Sequence, residues 1–280
     1  MEPLPVIEHA TPGVLVIMLL IIAPVLYFIR EARRGRELFV RRIPGIDAID
    51  EAAGRCAELG RPIVFSTGLT GISPILYACL GVLHYVAKKA AMFKTKLFLP
   101  QNAPDVMAIT EEAARDAYRS QGKLSSFDPK NIVYLSDEQF AYAAGYIGLV
   151  QREQVGSAFL FGYFAAESLV LAEAGQQVGA MQVAATTSPE QVAFFISACD
   201  YTLIGEELFA ASAYLTREPV LLGSLCGQDR AKLCIFGLII IGVICATIAS
   251  LQHAPGAFSP ASLIYTSWDD WFKFFNNKFQ

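Results

Sequence analysis

Histidine is scarce in this 280-residue chain: His9, His84 and His253 are the whole complement. A His-based catalytic dyad or a His-rich metal site has little to draw on. His84 falls on an apolar helical stretch, where a satisfied, buried imidazole is the plain expectation. The motifs that announce chemistry are missing too. There is no P-loop spacing with its Lys, no G-x-G-x-x-G, no G-x-S-x-G and no Asp-rich cation loop. The sequence therefore assigns no catalytic residue and no metal ligand, and identifies no cofactor. Six cysteines occur, but no pair has C-x-x-C spacing. Reduced thiols, rather than a disulfide framework or a zinc site, are expected.

Charge is also sparse, at 17% of residues against 54% hydrophobic ones. The mean hydropathy of +0.42 is high for a soluble chain. The apolar excess is concentrated in two runs, 10–29 and 233–251, neither of which contains a charged residue. Each is near the ~20 residues that cross a bilayer as a helix. These runs predict transmembrane helices over 13–30 and 232–252. Pro24 is tolerable in such a helix.

Positive charge is absent from 1–12, which carries Glu2 and Glu8, whereas Arg30, Arg33, Arg34, Arg36, Arg41 and Arg42 crowd the other side of the first run. Arg230 and Lys232 precede the second run, and no Lys or Arg follows it until Lys273. Excess Lys and Arg marks the cytoplasmic side. The expectation is an inner-membrane protein with two spans, both termini outside and the intervening residues in the cytoplasm. A cleaved signal peptide fits less well, because its basic residues would precede the apolar run.

Between the runs, residues 43–229 carry 12 Lys and Arg against 20 Asp and Glu, a net of −8. Such an acidic domain is a poor nucleic-acid binder. The basic juxtamembrane segment 31–45, with Arg33, Arg34 and Arg36, suits anionic lipid head groups instead.

The domain, 46–228, reads as alternating elements. Ile46, Ile49, Ala53 and Ala57 recur at helical spacing and predict an amphipathic helix from about Asp47 to Leu59, with Pro44-Gly45 blocking helix before it. Pro62-Ile-Val-Phe65 reads as a strand covered on both faces. The segment 72–92 is apolar enough to suggest a third span. Its place between two strands and Lys88-Lys89 near its end favour a helix buried beneath a sheet. Strands follow at 96–99, 131–135, 156–163, 178–184 and 201–204, with helices between them and a link over 221–228. This alternation predicts an α/β fold: a doubly wound, mostly parallel, Rossmann-like sheet inserted between two transmembrane helices.

In such a sheet ligands gather beyond the carboxyl ends of the strands. The residues there are Ser66, Thr67, Gly68, Thr70 and Gly71, then Gln101 and Asn102, Ser136 and Asp137, Glu167, Thr186 to Ser188, and Glu206 and Glu207. The turn at 66–71 offers hydroxyls and backbone N–H groups to an anion. Helix capping is the plainer account of most of these residues. Glu167, Glu206 and Glu207 are the least explained, since Glu is a poor N-cap. Downstream, Trp268, Trp271, Phe272, Phe275 and Phe279 share one helical stripe with Asp269, Asp270, Lys273 and Asn276 mostly opposite. This predicts an outer amphipathic tail over 253–280, for a lipid surface or a partner.

The run Arg41-Arg-Ile-Pro-Gly-Ile-Asp-Ala-Ile-Asp-Glu-Ala, followed by Gly60-Arg-Pro and Ser66-Thr-Gly, resembles a family of uncharacterised prokaryotic membrane proteins defined by a domain of unknown function. The resemblance covers about residues 35–250. It implies membrane placement and lends no catalytic residues. Two functional classes follow. One is a membrane-anchored structural or assembly protein, a homo-oligomer or part of a membrane complex, with Gly237 and Gly242 suited to helix packing. The other is a membrane-bound enzyme or sensor taking a nucleotide or another small anion at the 66–71 turn.

Overall fold

The computed structural model describes residues 12–36 and 44–253, in two compact units, one formed by 12–36 with 219–253 and the other by 44–218. The aromatic tail and its Trp268, Trp271, Phe272 and Phe275 lie outside the described residues, as do Arg41 and Arg42.

The larger unit runs α2 (Pro44–Leu59), β1 (Ile63–Gly68), α3 (Pro74–Phe93), β2 (Leu97–Gln101), α4 (Pro104–Ser120), β3 (Ile132–Tyr134), α5 (Gln139–Glu153), β4 (Ser157–Tyr163), α6 (Ser168–Gln177), β5 (Met181–Thr186), α7 (Pro189–Ala198), β6 (Tyr201–Ile204) and α8 (Glu207–Thr216). The strands form one six-stranded sheet in the order β3-β2-β1-β4-β5-β6, with every pairing parallel. Parallel neighbours need a crossover, and the helices supply it.

Alternate strand residues feed two cores. Ile63, Phe65, Leu97, Leu99, Phe159, Phe161 and Val183 face α2, α3, α4 and α8. Val64, Phe98, Ala158, Leu160 and Ala184 face α5, α6 and α7. This period of two explains why the strands are apolar throughout: both faces are covered.

Helix α3 lies in the first core. Leu76, Cys79, Val82, Leu83, Val86, Ala87, Ala90 and Ala91 are fully buried, and Phe65 and Phe161 stack at 5.6 Å on the sheet within the same core. It and the Pro219–Ile248 stretch are long and apolar enough to cross a membrane, by length and composition alone. Half of α3 is buried, which is what a core helix shows. Helix α2 begins three residues earlier than periodicity predicts. Pro44 opens it rather than blocking it, since the first turn has no need of the missing N–H. Gly45 then lets the Leu203 side chain approach: a Cβ there would lie 2.8 Å from Leu203 Cδ1.

The smaller unit is a helical hairpin of α1 (Pro12–Arg33) and α9 (Pro219–His253). No link precedes the second apolar run. Residues 221–228, expected to be irregular, are the first turns of a 35-residue helix. The two helices are antiparallel. A Cβ on Gly223 would stand 2.6 Å from Ile29 Cα, and one on Gly227 would stand 2.5 Å from Val25 Cα. Gly223, Gly227 and the buried Ala231 follow four-residue spacing, which brings backbones into contact. The glycines singled out from the sequence play no such part, because nothing lies within 4 Å of a Cβ on Gly237 or Gly242. At the base of α1, Arg34 and Arg36 pair with Glu31 at 3.7 and 3.2 Å.

Candidate functional site: the carboxyl edge of the sheet

The strand order reverses direction between β1 and β4, so the crevice beyond their carboxyl ends is the place to look. Ser66 and Thr67 are strand residues, fully buried, and neither caps a helix. The Ser66 hydroxyl lies 2.7 Å from Tyr142 Oη and accepts from Gly68 N at 3.0 Å. Burial pushes the Tyr142 phenol well above its ordinary range, with Ser66 opposing the shift and the Glu167 charge adding to it. Thr67 donates to Gln101 Oε1 at 3.0 Å.

The turn that follows is stitched to β4. Leu69 N donates to the Tyr163 carbonyl at 2.9 Å, and Tyr163 N donates to Thr70 Oγ1 at 2.7 Å. Thr70 in turn donates to the Thr67 carbonyl at 2.5 Å. Thr70 N also donates to Thr67 O, at 3.3 Å. The N–H groups of residues 68, 69 and 70 thus all have partners within the fold. Gly68 at φ +62° and Gly162 at φ +154° permit this closure, because a Cβ on either would meet the other strand's backbone. Gly71 is exposed, with open space where its Cβ would be.

Glu167 is fully buried. Its carboxylate accepts from Gln139 Nε2 at 2.6 Å and from Ala165 N at 3.0 Å, both neutral donors. It also sits at the N-terminus of α6, whose dipole favours negative charge. Nearby, Gln101 Nε2 and Asn102 Oδ1 are buried without a hydrogen-bond partner. Ser136 accepts from Glu138 N at 3.1 Å, with Asp137 exposed beside it. Thr186 is buried and accepts from Ser188 N at 3.3 Å. Glu207 accepts from Ile204 N at 3.1 Å, and Glu206 is exposed.

Capping accounts for little of this. Of the helices α3 to α8 only α3 has a side-chain cap bond, from Leu76 N to Ser73 Oγ. Charge is the larger feature. The six segments leaving the strands, with the first turns after them, carry Asp105, Asp137, Glu138, Glu167, Glu190, Glu206 and Glu207 and no Lys or Arg. Among the described residues of this unit the twelve Lys and Arg lie instead in the later halves of helices, in loops leading into strands or, for Arg217, at the C-terminal end of α8. The edge is also apolar. Ile72, Tyr77, Tyr134, Phe140, Tyr163 and Ile204 are exposed there, Phe140 to 70%. Sequence reasoning named four of these carboxylates as edge residues, Asp137, Glu167, Glu206 and Glu207, but not Asp105, Glu138 or Glu190 and none of the apolar side chains. Tyr134 and Tyr163, each closing its strand, are the positions from which the pattern was readable.

At the opposite edge, Arg55, Gln176, Met181, Ser197, Cys199 and Asp200 line a cleft of about 300 Å³. Burial, with the Asp200 carboxylate beside it, pushes the Cys199 thiol up to about 12. A raised folded-state value means a contribution present below the unfolded value, the ordinary thiol's ~8.5, and lost as pH rises towards 12. Thermal unfolding should therefore reveal alkaline destabilisation that is shallower in Cys199→Ala, while thiol reagents at pH 8 should spare Cys199 until the protein unfolds.

The model of one family, described as a domain of unknown function (DUF6754), matches residues 6–256. The chain belongs to that family. The match takes in both apolar runs as well as the α/β unit. No curated protein and no solved structure matches the chain. Among the described residues there is no group of three His, Cys, Asp or Glu that can hold a metal ion.

Proposed function

We propose that the chain is a membrane-anchored structural or assembly protein. In this reading α1 and α9 anchor it in the inner membrane by two spans, and the α/β unit stands in the cytoplasm with both termini on the other side. The Rossmann-like body docks a second copy or another membrane protein through its carboxyl edge. The observation that carries the reading is that edge: exposed aromatic and aliphatic side chains set among six carboxylates that reach the surface, with Glu167 buried behind them and no Lys or Arg in these segments. Tyr and Phe surrounded by a polar rim are the composition of protein interfaces. The helix N-termini behind the edge stabilise its carboxylates and leave the outward charge negative. The partner surface is thus apolar and basic, and neither nucleic acid nor an anionic ligand suits it.

The anchoring half of the reading rests on the exposed side chains of the hairpin. Leu233, Phe236, Ile241 and Val243 are each at least 60% exposed. Water does not tolerate such a continuous surface, and lipid does.

A ligand-binding reading has one observation of its own. Gln101 Nε2 and Asn102 Oδ1 are buried and unpaired beside the β1–β4 crevice, where buried polar groups ordinarily have a partner. A nucleotide or other small anion at 66–71 would have to displace the internal partners of three amides.

Light scattering on the detergent-solubilised chain tests the choice. A defined multiple of the chain mass, or a stable complex with one partner, is expected, and Phe140→Asp combined with Glu206→Lys should reduce it at least tenfold in apparent affinity, about 1.4 kcal/mol or more. A monodisperse monomer whose melting temperature rises with a nucleotide would establish the ligand reading instead.

A further inference from the structure

The hairpin fixes where lipid can begin. Gly223 meets Ile29 and Gly227 meets Val25, so four residues forward along α9 answer to four back along α1. At that register Asp229, Arg230 and Lys232 stand level with about residues 20–23 of α1. Those residues are the middle of the first uncharged run, 10–29. The two uncharged runs therefore coincide over only about ten residues, ~15 Å at 1.5 Å per residue, half of a ~30 Å hydrocarbon core.

Given the anchored reading above, on which this rests, we infer that the hydrocarbon layer begins at Lys232. Residues 233–251 of α9 then lie in the layer, and α1 enters it beside them with residues 12–19. The lower hairpin, about 20–33 of α1 with 219–232 of α9, is a two-helix stalk in the head-group layer and beyond. Centring the layer on α1 instead would bury Asp229, Arg230 and Lys232 at mid-depth on an outward face, all three being exposed in the hairpin. It would also strand Val243, Ile244 and Ile248 in water, each at least half exposed. Both changes are unfavourable. Beginning the layer at Lys232 leaves Ile21, Ile22, Leu26, Tyr27 and Leu221 as the exposed large apolar side chains outside hydrocarbon, and Tyr27 is a residue type that favours the interface. Arg230 and Lys232 then reach head groups with their own side chains.

The native cysteines are placed to test this. Cys226 falls in the stalk, and Cys234 and Cys245 fall in the span. Full-length variants retaining one cysteine each would be treated with a membrane-impermeant maleimide in native membranes opened by freeze–thaw, so that reagent reaches both faces while lipid stays intact. Gln228→Cys in a cysteine-free chain repeats the stalk measurement at an exposed position. Cys226 and Gln228→Cys should label at least tenfold faster than Cys245, which should react only after detergent is added. Labelling of Cys245 with Cys226 and Gln228→Cys protected would overturn the placement while leaving the protein in the membrane. Protection of all these positions would overturn it as well. Equal labelling of all, with release of the chain by alkaline washing, would remove the anchored reading itself.

Discussion

Gly162→Ala is expected to lower the melting temperature of the α/β unit by about 10 °C, from a loss of about 3–5 kcal/mol at about 2–4 °C per kcal/mol. The backbone there has φ +154°, and a Cβ would run into the Thr67 carbonyl and Thr70 Oγ1. Those are the atoms that hold the 66–71 turn against β4, through Thr70 to Thr67 O and Tyr163 N to Thr70. The register of β1 on β4 also shifts here, between Ser66 and Gly68. The substitution thus combines backbone strain, overlap with main chain that has nowhere to move, and two lost hydrogen bonds. Two controls separate this from a general effect of removing glycine. Gly71→Ala meets nothing within 4 Å and needs no positive φ, so it should stay within about 0.5 kcal/mol of the parent. Gly148 lies inside α5 with open space at its Cβ, and Ala there should stabilise by up to about 1 kcal/mol. Circular dichroism melts of the three variants decide the matter. Gly162→Ala melting with the parent would show that the turn is not pinned to β4 as described.

The second large effect is expected in the hairpin. Gly223→Val with Gly227→Val should separate α1 from α9, because each new side chain would displace backbone of the facing helix, Ile29 or Val25, rather than a side chain that can rotate away. Overpacking of this kind costs about 1–3 kcal/mol at a single site. Two sites one turn apart leave little of the gain from close helix contact. The matched pair Gly237→Val with Gly242→Val, where nothing lies within 4 Å, should be silent in the same detergent melt and in resistance to limited proteolysis. If the two pairs behave alike, the antiparallel contact is not the one described.

Much of this architecture was legible in the chain. Each of the six strands begins within three residues of its expected start, because short β-branched and aromatic runs bounded by Gly and Pro have few alternatives. Helix α3 was recognisable as a core element from the lysines near its end and the strands on either side, although its composition alone matches that of a span. Local pattern misled where an outside partner decided the outcome. Residues 221–228 contain Gly223, Ser224 and Gly227, which weaken a lone helix; they are helical because α1 packs on them. Pro44-Gly45 reads as a break until Leu203 is seen to need the space that Gly45 leaves.

The candidate site was half visible. Placing Ser66, Thr67, Glu167, Thr186 and Glu206 at one edge needed only the alternation of strands and helices. Capping was the economical explanation for them, and it fails at five of the six helix starts from α3 to α8: the N-cap of α4 is Ala103, and Glu167 and Ser188 turn to Ala165 N and Glu190 instead. Tyr142 gave no sign of itself, since an aromatic on an amphipathic helix looks like any core residue until a buried hydroxyl is found opposite it.

The sequence by itself determined the order and kind of the elements, the two apolar runs and the one-sided distribution of positive charge, because propensity, periodicity and charge act between near neighbours. Tertiary structure alone decided which glycines are contacts, that the turn after β1 is closed, and that six distant segments make one acidic, aromatic edge. Those outcomes depend on residues far apart in the chain, about 190 positions where α9 meets α1, and on a parallel sheet that brings every carboxyl end to the same side.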